Sequence, residues 1–346
     1  MMSKNWKKLL AATACIACLS GVGITHAAYE LSDEVKDATL ALIGATSIGI
    51  QAYENSAFQQ QANKDAILIM SFGTTYKDTR TKTIDAIVKK IKTAFPSKEV
   101  RVAFTSHIII DRILENEGVQ YDTPEAAFKK LAKDGYNRVA VVNLNIVPGI
   151  EYDYNRLVTH AEQAHFKKLT VATPAMYYMG QEEQPDQVVE FLNAVQKQFP
   201  PKTDQHSAIL LMAHGTPHPS NAYYSVIQDR IHSLGWQNVF VYSVEGRPHL
   251  EDVLPKLKSS GIKDVTLMPI MIVAGDHANN DMAGTESDSH KSILEAAGYH
   301  VDAYLHGLGE NEAIQDLFVE RAREAVDALD TMAAKLPYTP KMHHHK

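Results

Sequence analysis

Short apolar runs ending on glycine or a polar residue recur along this chain, and segments of helical spacing lie between them. The run Ala66-Ile67-Leu68-Ile69-Met70-Ser71-Phe72-Gly73-Thr74 returns, 142 residues on, as Ala208-Ile209-Leu210-Leu211-Met212-Ala213-His214-Gly215-Thr216. Val100 to Ser106 returns as Val239 to Glu245, and the stretch from Lys130-Leu131 to Val147-Pro148-Gly149 returns as Lys256-Leu257 to Val273-Ala274-Gly275. Continuous apolar runs of this length read as strands buried on both faces, hence parallel. The intervening segments read as helices. Ile84, Ile87, Val88, Ile91 and Phe95 keep helical spacing up to Pro96; Val188, Phe191, Leu192 and Val195 precede Pro200-Pro201; Ile314, Leu317, Phe318, Ala322, Ala325, Val326 and Leu329 mark the last. Strand and helix alternate, and the order of matched segments is the same in both halves. The predicted fold class is α/β: two similar lobes, residues 64–200 and 206–335, each an open parallel sheet flanked by helices.

Ligands of open α/β sheets sit beyond the carboxyl ends of the strands. In the second lobe that rule selects His214, Glu245 and His277; the equivalent positions in the first are Phe72, Ser106 and Glu151. A lone His at a strand end is usually a structural, hydrogen-bonded residue. Two imidazoles and a carboxylate on one sheet edge instead make an open site for a first-row divalent ion, with cobalt, iron, zinc and nickel all compatible. Asp276 either orients His277 or caps the following helix. The Gly73-Thr74 and Gly215-Thr216 turns carry neither a glycine-rich fingerprint nor a Walker lysine, so they are weak candidates for phosphate loops.

The ends of the chain change the picture of where this chemistry happens. Lys4, Lys7 and Lys8 precede an apolar stretch from Leu9 to Ile24, and Thr25-His26-Ala27 supplies small residues for cleavage. Residues 1–28 therefore read as a secretory signal peptide, with a membrane anchor as the alternative. The predicted location is the periplasm. Removing three lysines and no acids takes the formal net charge from −7 to −10. Cys15 and Cys18 leave with the signal, so disulfides and thiolate ligands are excluded from the mature chain. Residues 29–63 read as a polar extension preceding the folded body. Residues 336–346, with His343-His344-His345, read as a tail. At 346 residues and 45% hydrophobic content the chain can fill a large core, and its acidic balance excludes a general nucleic-acid binder.

Ser71-Phe72-Gly73-Thr74, His214-Gly215, Val244-Glu245, Met268-Pro269, Gly275-Asp276-His277-Ala278 and Asn280-Asp281-Met282 together resemble the anaerobic-pathway sirohydrochlorin cobaltochelatases, relatives of the class II ferrochelatases. The similarity runs from about Asp65 to Leu329. It implies a lyase that inserts Co2+ into the tetrapyrrole sirohydrochlorin, chemistry of cobalamin biosynthesis, with Co2+ or Fe2+ as substrate metal and no organic cofactor. By this resemblance His214, Glu245 and His277 are the metal ligands. His214 is also the proton acceptor, and Glu151 is a catalytic carboxylate facing the same cleft. Arg247, Arg112, Lys77 and Arg80 stand at the right end of the sheets to meet substrate carboxylates, with none singled out. The expected partner is the tetrapyrrole, in a chain that can self-associate and that has no nucleic-acid partner and no membrane contact after cleavage. The competing readings are a ferrous chelatase of the same fold and a non-catalytic periplasmic carrier of metal or tetrapyrrole.

Overall fold

The computed structural model describes residues 32, 34–181, 184–200 and 205–334. The signal segment, Cys15, Cys18 and the histidine tail lie outside the described residues. Among the described residues, nine strands form two sheets. The first has the order β1 (Gln51–Glu54), β5 (Lys168–Val171), β4 (Arg138–Asn143), β2 (Asp65–Ser71), β3 (Glu99–Phe104). The second runs β7 (Val239–Ser243), β6 (Ser207–Ala213), β8 (Asp264–Pro269), β9 (His300–Ala303). All pairings are parallel except β1 with β5. Apart from β1, the two sheets share one topology, as a duplication requires. The repeated runs are the two central strands, β2 and β6. Ala66 pairs with Glu99 and Val139, and Ala208 with Val265, so each is hydrogen-bonded along its length.

Side-chain alternation divides the core. Ile67 and Ile69 of β2 and Ile209 and Leu211 of β6 join one cluster that runs through both lobes. Ala66, Leu68 and Met70 face a separate cluster outside the first sheet, and Ala208, Leu210 and Met212 a third outside the second. Every position of both central strands except Asp65 is buried on one side or the other, which is why their sequences show apolar runs and not alternation.

Two elements depart from the sequence reading. The 29–63 extension is partly structural: Leu40–Thr46 is helical, and β1 pairs antiparallel with β5, Ala52 opposite Thr170. The last helix, Glu312–Thr331, falls within the 206–335 span expected for the second lobe but lies across the first. Thr170 Oγ1 donates to the Ala325 carbonyl, and Arg138 Nη1 donates to the Leu329 carbonyl. Its apolar stripe of Ile314, Phe318, Ala322, Ala325 and Leu329 is buried in the shared core. That face of the first sheet has to be covered, and the last helix covers it. No helix among the described residues is long and apolar enough to cross a membrane.

The start of β2 is pinned by charge. Arg138 donates from Nε to Asp65 Oδ1 at 2.7 Å and from Nη2 to Oδ2 at 2.8 Å, and Lys98 Nζ lies 2.8 Å from Oδ2. Burial alone would raise the Asp65 carboxyl, but the bonds from Arg138 and Lys98 and their charges outweigh it and hold it below the usual range. Unfolded, this carboxyl titrates near pH 4, at about 3.9. Its stabilising contribution is therefore complete above that value and is lost as pH falls through the lower folded value. Asp65→Asn is expected to cost roughly 2–3 kcal/mol at pH 7, because the buried Arg138 loses its bidentate partner. The deficit relative to wild type should shrink at pH 3, as read from urea midpoints at both pH values.

Candidate metal centre

The three predicted ligands converge. His214 directly follows β6, Glu245 stands two residues after β7, and His277 precedes the π-helical turn Ala278–Met282. One donor atom from each lies within 4.8 Å of the others. The imidazole rings of His214 and His277 are 4.7 Å apart and nearly perpendicular, and Glu245 Oε2 is 3.9 Å from His214 Nδ1. All three are solvent-accessible to some degree, so an ion can enter and leave.

Hydrogen bonding fixes which nitrogen each imidazole offers. His277 Nδ1 is 2.7 Å from Asp281 Oδ2, and His214 Nδ1 is 2.9 Å from the Gly215 carbonyl oxygen. A carbonyl or carboxylate only accepts, so both rings carry their proton on Nδ1 and present the Nε2 lone pair. For His277 the orienting acid is Asp281, one π-helical turn on, and not Asp276. The Asp276 side chain accepts instead from Tyr76 Oη at 3.4 Å and from Asn280 Nδ2 at 2.8 Å, so it does neither of the jobs the sequence left open. Asp281→Ala is expected to weaken Co2+ binding by about 10–100-fold with the fold retained. Competition against a chromogenic chelator would measure it, and an unchanged affinity would remove Asp281 from the site.

The loops bearing His214 and Glu245 are clamped to each other. Gly215 has φ +92°, and a Cβ there would fall 2.3 Å from the Gly246 nitrogen. The Glu245 N–H donates to the His214 carbonyl at 2.7 Å. Asn221 Oδ1 accepts from the N–H groups of Thr216 and Arg247, and its Nδ2 donates to the Arg247 carbonyl. Sequence reasoning missed Asn221 because its partners lie on two different loops.

The first lobe faces this cluster with different chemistry. Phe72, equivalent to His214, is 51% exposed. Ser106, equivalent to Glu245, caps the helix His107–Glu117. Glu151, equivalent to His277, lies in the first turn of the helix Ile150–Glu162, and its Oε2 accepts from Thr105 Oγ1 at 2.8 Å. It stands outside the three-residue cluster. Two equivalent contacts join the lobes: Gly149 lies against Thr216 and Ser220, and Gly275 against Thr74. Of the four basic candidates, Arg80 is buried and bound to Glu117 and the Thr74 carbonyl, which makes it a structural residue. Arg247 pairs with Asp252 at 3.0 Å. Lys77 and Arg112 lie on the helices Lys77–Lys82 and His107–Glu117.

Comparison with known proteins gives this geometry a context. The chain is 34% identical over 264 residues to the sirohydrochlorin cobaltochelatase of Salmonella typhimurium, covering 76% of this chain and 97% of that one. It is 32% identical over 271 residues to the sirohydrochlorin cobaltochelatase CbiKC of Nitratidesulfovibrio vulgaris, covering 77% and 92%. Among solved structures, SirB from Bacillus subtilis with Fe3+ superposes with a TM-score of 0.52 at 15% identity, over 78% of this chain and 98% of that one, a likeness of fold. The family described as cobalt chelatase (CbiK) matches residues 65–327. With that match spanning every strand but β1 and including His214, Glu245 and His277, the chain belongs to the cobalt chelatase (CbiK) family.

Proposed function

We propose that this chain is a lyase that inserts Co2+ into sirohydrochlorin. The observation that carries the reading is the convergence of His214, Glu245 and His277 in a chain of the cobalt chelatase family. Metal insertion requires a loosely held divalent ion, removal of two pyrrole N–H protons, and a macrocycle placed against the ion. Two Nε2 lone pairs and one carboxylate give the ion three donors and leave coordination positions open for the ring nitrogens. His214, the more exposed imidazole, is the base as well as a ligand. Glu151, on the opposite wall, takes or relays the second proton, and Thr105 holds its carboxylate in place. Phe72, the exposed residue at the matching position of the first lobe, offers an apolar surface.

Residues 1–28 send the chain to the periplasm in this reading and are then removed. N-terminal sequencing of the secreted form is expected to begin near residue 29. The donor set alone does not separate Co2+ from Fe2+. The deciding experiment mixes the purified mature chain anaerobically with sirohydrochlorin and either ion and follows the visible spectrum. Faster insertion with Co2+ supports the proposal. Faster insertion with Fe2+ reassigns the metal, and tight binding without turnover makes the chain a carrier.

A further inference from the structure

Beside the cleft lies a second cavity of about 390 Å³, built from the same two segments that hold His214 and Glu151. Its wall includes His218, four residues after His214, and Tyr152, Asp153 and Arg156 on the helix that Glu151 begins. Tyr177 and Tyr223 add to it. The polar groups here are unevenly spent. The Ser220 N–H donates to His218 Nδ1 at 3.1 Å, so the His218 proton sits on Nε2, 3.4 Å from Asp153 Oδ2. Arg156 Nη2 donates to the other oxygen, Oδ1, at 3.2 Å. Asp153 is thus shared between two donors on opposite sides of the lobe junction, and its charge is answered.

Two donors in the same wall are not answered. Arg156 Nε and Tyr152 Oη are both shielded from water and have no hydrogen-bond partner. Tyr152 is 3% exposed, and burial raises its phenol far above the usual value, so it keeps its proton and remains a donor. An arginine nitrogen can only donate. Unpaired buried donors are costly, and a small turn of either side chain toward an acceptor held in the cavity would relieve that cost. The acceptor that suits a guanidinium edge is a planar anion with two oxygens.

We propose that this cavity is a carboxylate-binding pocket, with Arg156 as its principal donor and Tyr152 and His218 in support. Its occupant is either an acidic side arm of the macrocycle seated in the adjoining cleft or a free small carboxylate. The first source rests on the proposed function; the second does not. Arg156 was not among the sequence candidates for substrate carboxylates, because it lies in mid-helix and not at a strand end.

The test uses the full mature chain and two variants, Arg156→Met and Tyr152→Phe, the latter removing a single oxygen. Metal-free sirohydrochlorin is titrated by its fluorescence, succinate by calorimetry, and Co2+ alone by chelator competition. If a macrocycle arm fills the pocket, Arg156→Met weakens sirohydrochlorin binding about tenfold and Tyr152→Phe about threefold, with Co2+ affinity unchanged. If sirohydrochlorin affinity is unmoved but both variants lose succinate binding, a free carboxylate is the occupant and the pocket stands. Unchanged affinity for both compounds overturns the proposal. If the wild-type chain binds no sirohydrochlorin, the proposed function fails, and the succinate titration alone decides the pocket.

Discussion

His214→Ala is expected to slow Co2+ insertion by about 10²–10⁴-fold, the range associated with loss of a positioned general base. The change removes an imidazole whose Nδ1 is tied to the Gly215 carbonyl and whose Nε2 is, in the proposed mechanism, the group offered to the ion and the substrate. It leaves His277 and Glu245 in place, so the ion should still bind, more weakly. The change leaves the first lobe untouched. The effect should therefore appear mainly in kcat and in Co2+ affinity, with KM for sirohydrochlorin little changed. Anaerobic single-turnover traces at saturating Co2+ would separate the two contributions. A variant that keeps the full rate above the uncatalysed background would move the role of base to another group, and Glu151→Gln would be the next variant to measure.

Gly215→Ala should be the most damaging conservative change near the site, costing roughly 3 kcal/mol or more. Two causes add. The residue has φ +92°, where an L side chain is strained, and the new Cβ would meet the Gly246 backbone nitrogen at 2.3 Å. The neighbour is main chain and cannot turn aside, so the loop carrying Glu245 must shift. Metal affinity should then fall together with stability. Gly118→Ala separates the two causes: Gly118 has φ +67° but nothing within 4 Å of its would-be Cβ. That variant should lose only about 1–2 kcal/mol, with Co2+ binding intact. Equal losses from the two variants, by urea unfolding, would mean that backbone strain alone governs and that the contact with Gly246 is irrelevant.

Much of this architecture was legible in the sequence, for identifiable reasons. Strands buried on both faces need uninterrupted apolar runs, so β2 and β6 announced themselves and their likeness exposed the duplication. The strand-end rule singled out His214, Glu245 and His277, which the structure brings together, although His277 stands on the loop eight residues beyond the end of β8 and not at the strand end itself. What stayed hidden was set by contacts distant in the chain. The docking of Glu312–Thr331 on the first sheet depends on Thr170 and Arg138, more than 150 residues away. Its own stripe said only that it is buried, not against what. Asp281 was visible as a motif residue, but an i,i+4 bond to His277 across a π-helical turn is a matter of local geometry. Residue type alone made Asp276 look equally suited. Arg80 shows the converse: its position suggested a substrate contact, and burial against Glu117 removed it.

The crossing of the last helix sets an order of events during synthesis. Residues 65–171 supply nearly all of the first sheet and leave the ribosome early, but the helix that covers one of its faces is among the last segments made. Until about residue 330 has emerged, the half of the protein that is translated first still shows bare apolar surface. The half translated second has its own outer core complete by about residue 303, before that helix is made. The chain is thus finished in the reverse of the order in which it is begun. A chain truncated after residue 307, with both sheets complete and the last helix missing, should be recognised by chaperones through its first half, not its second.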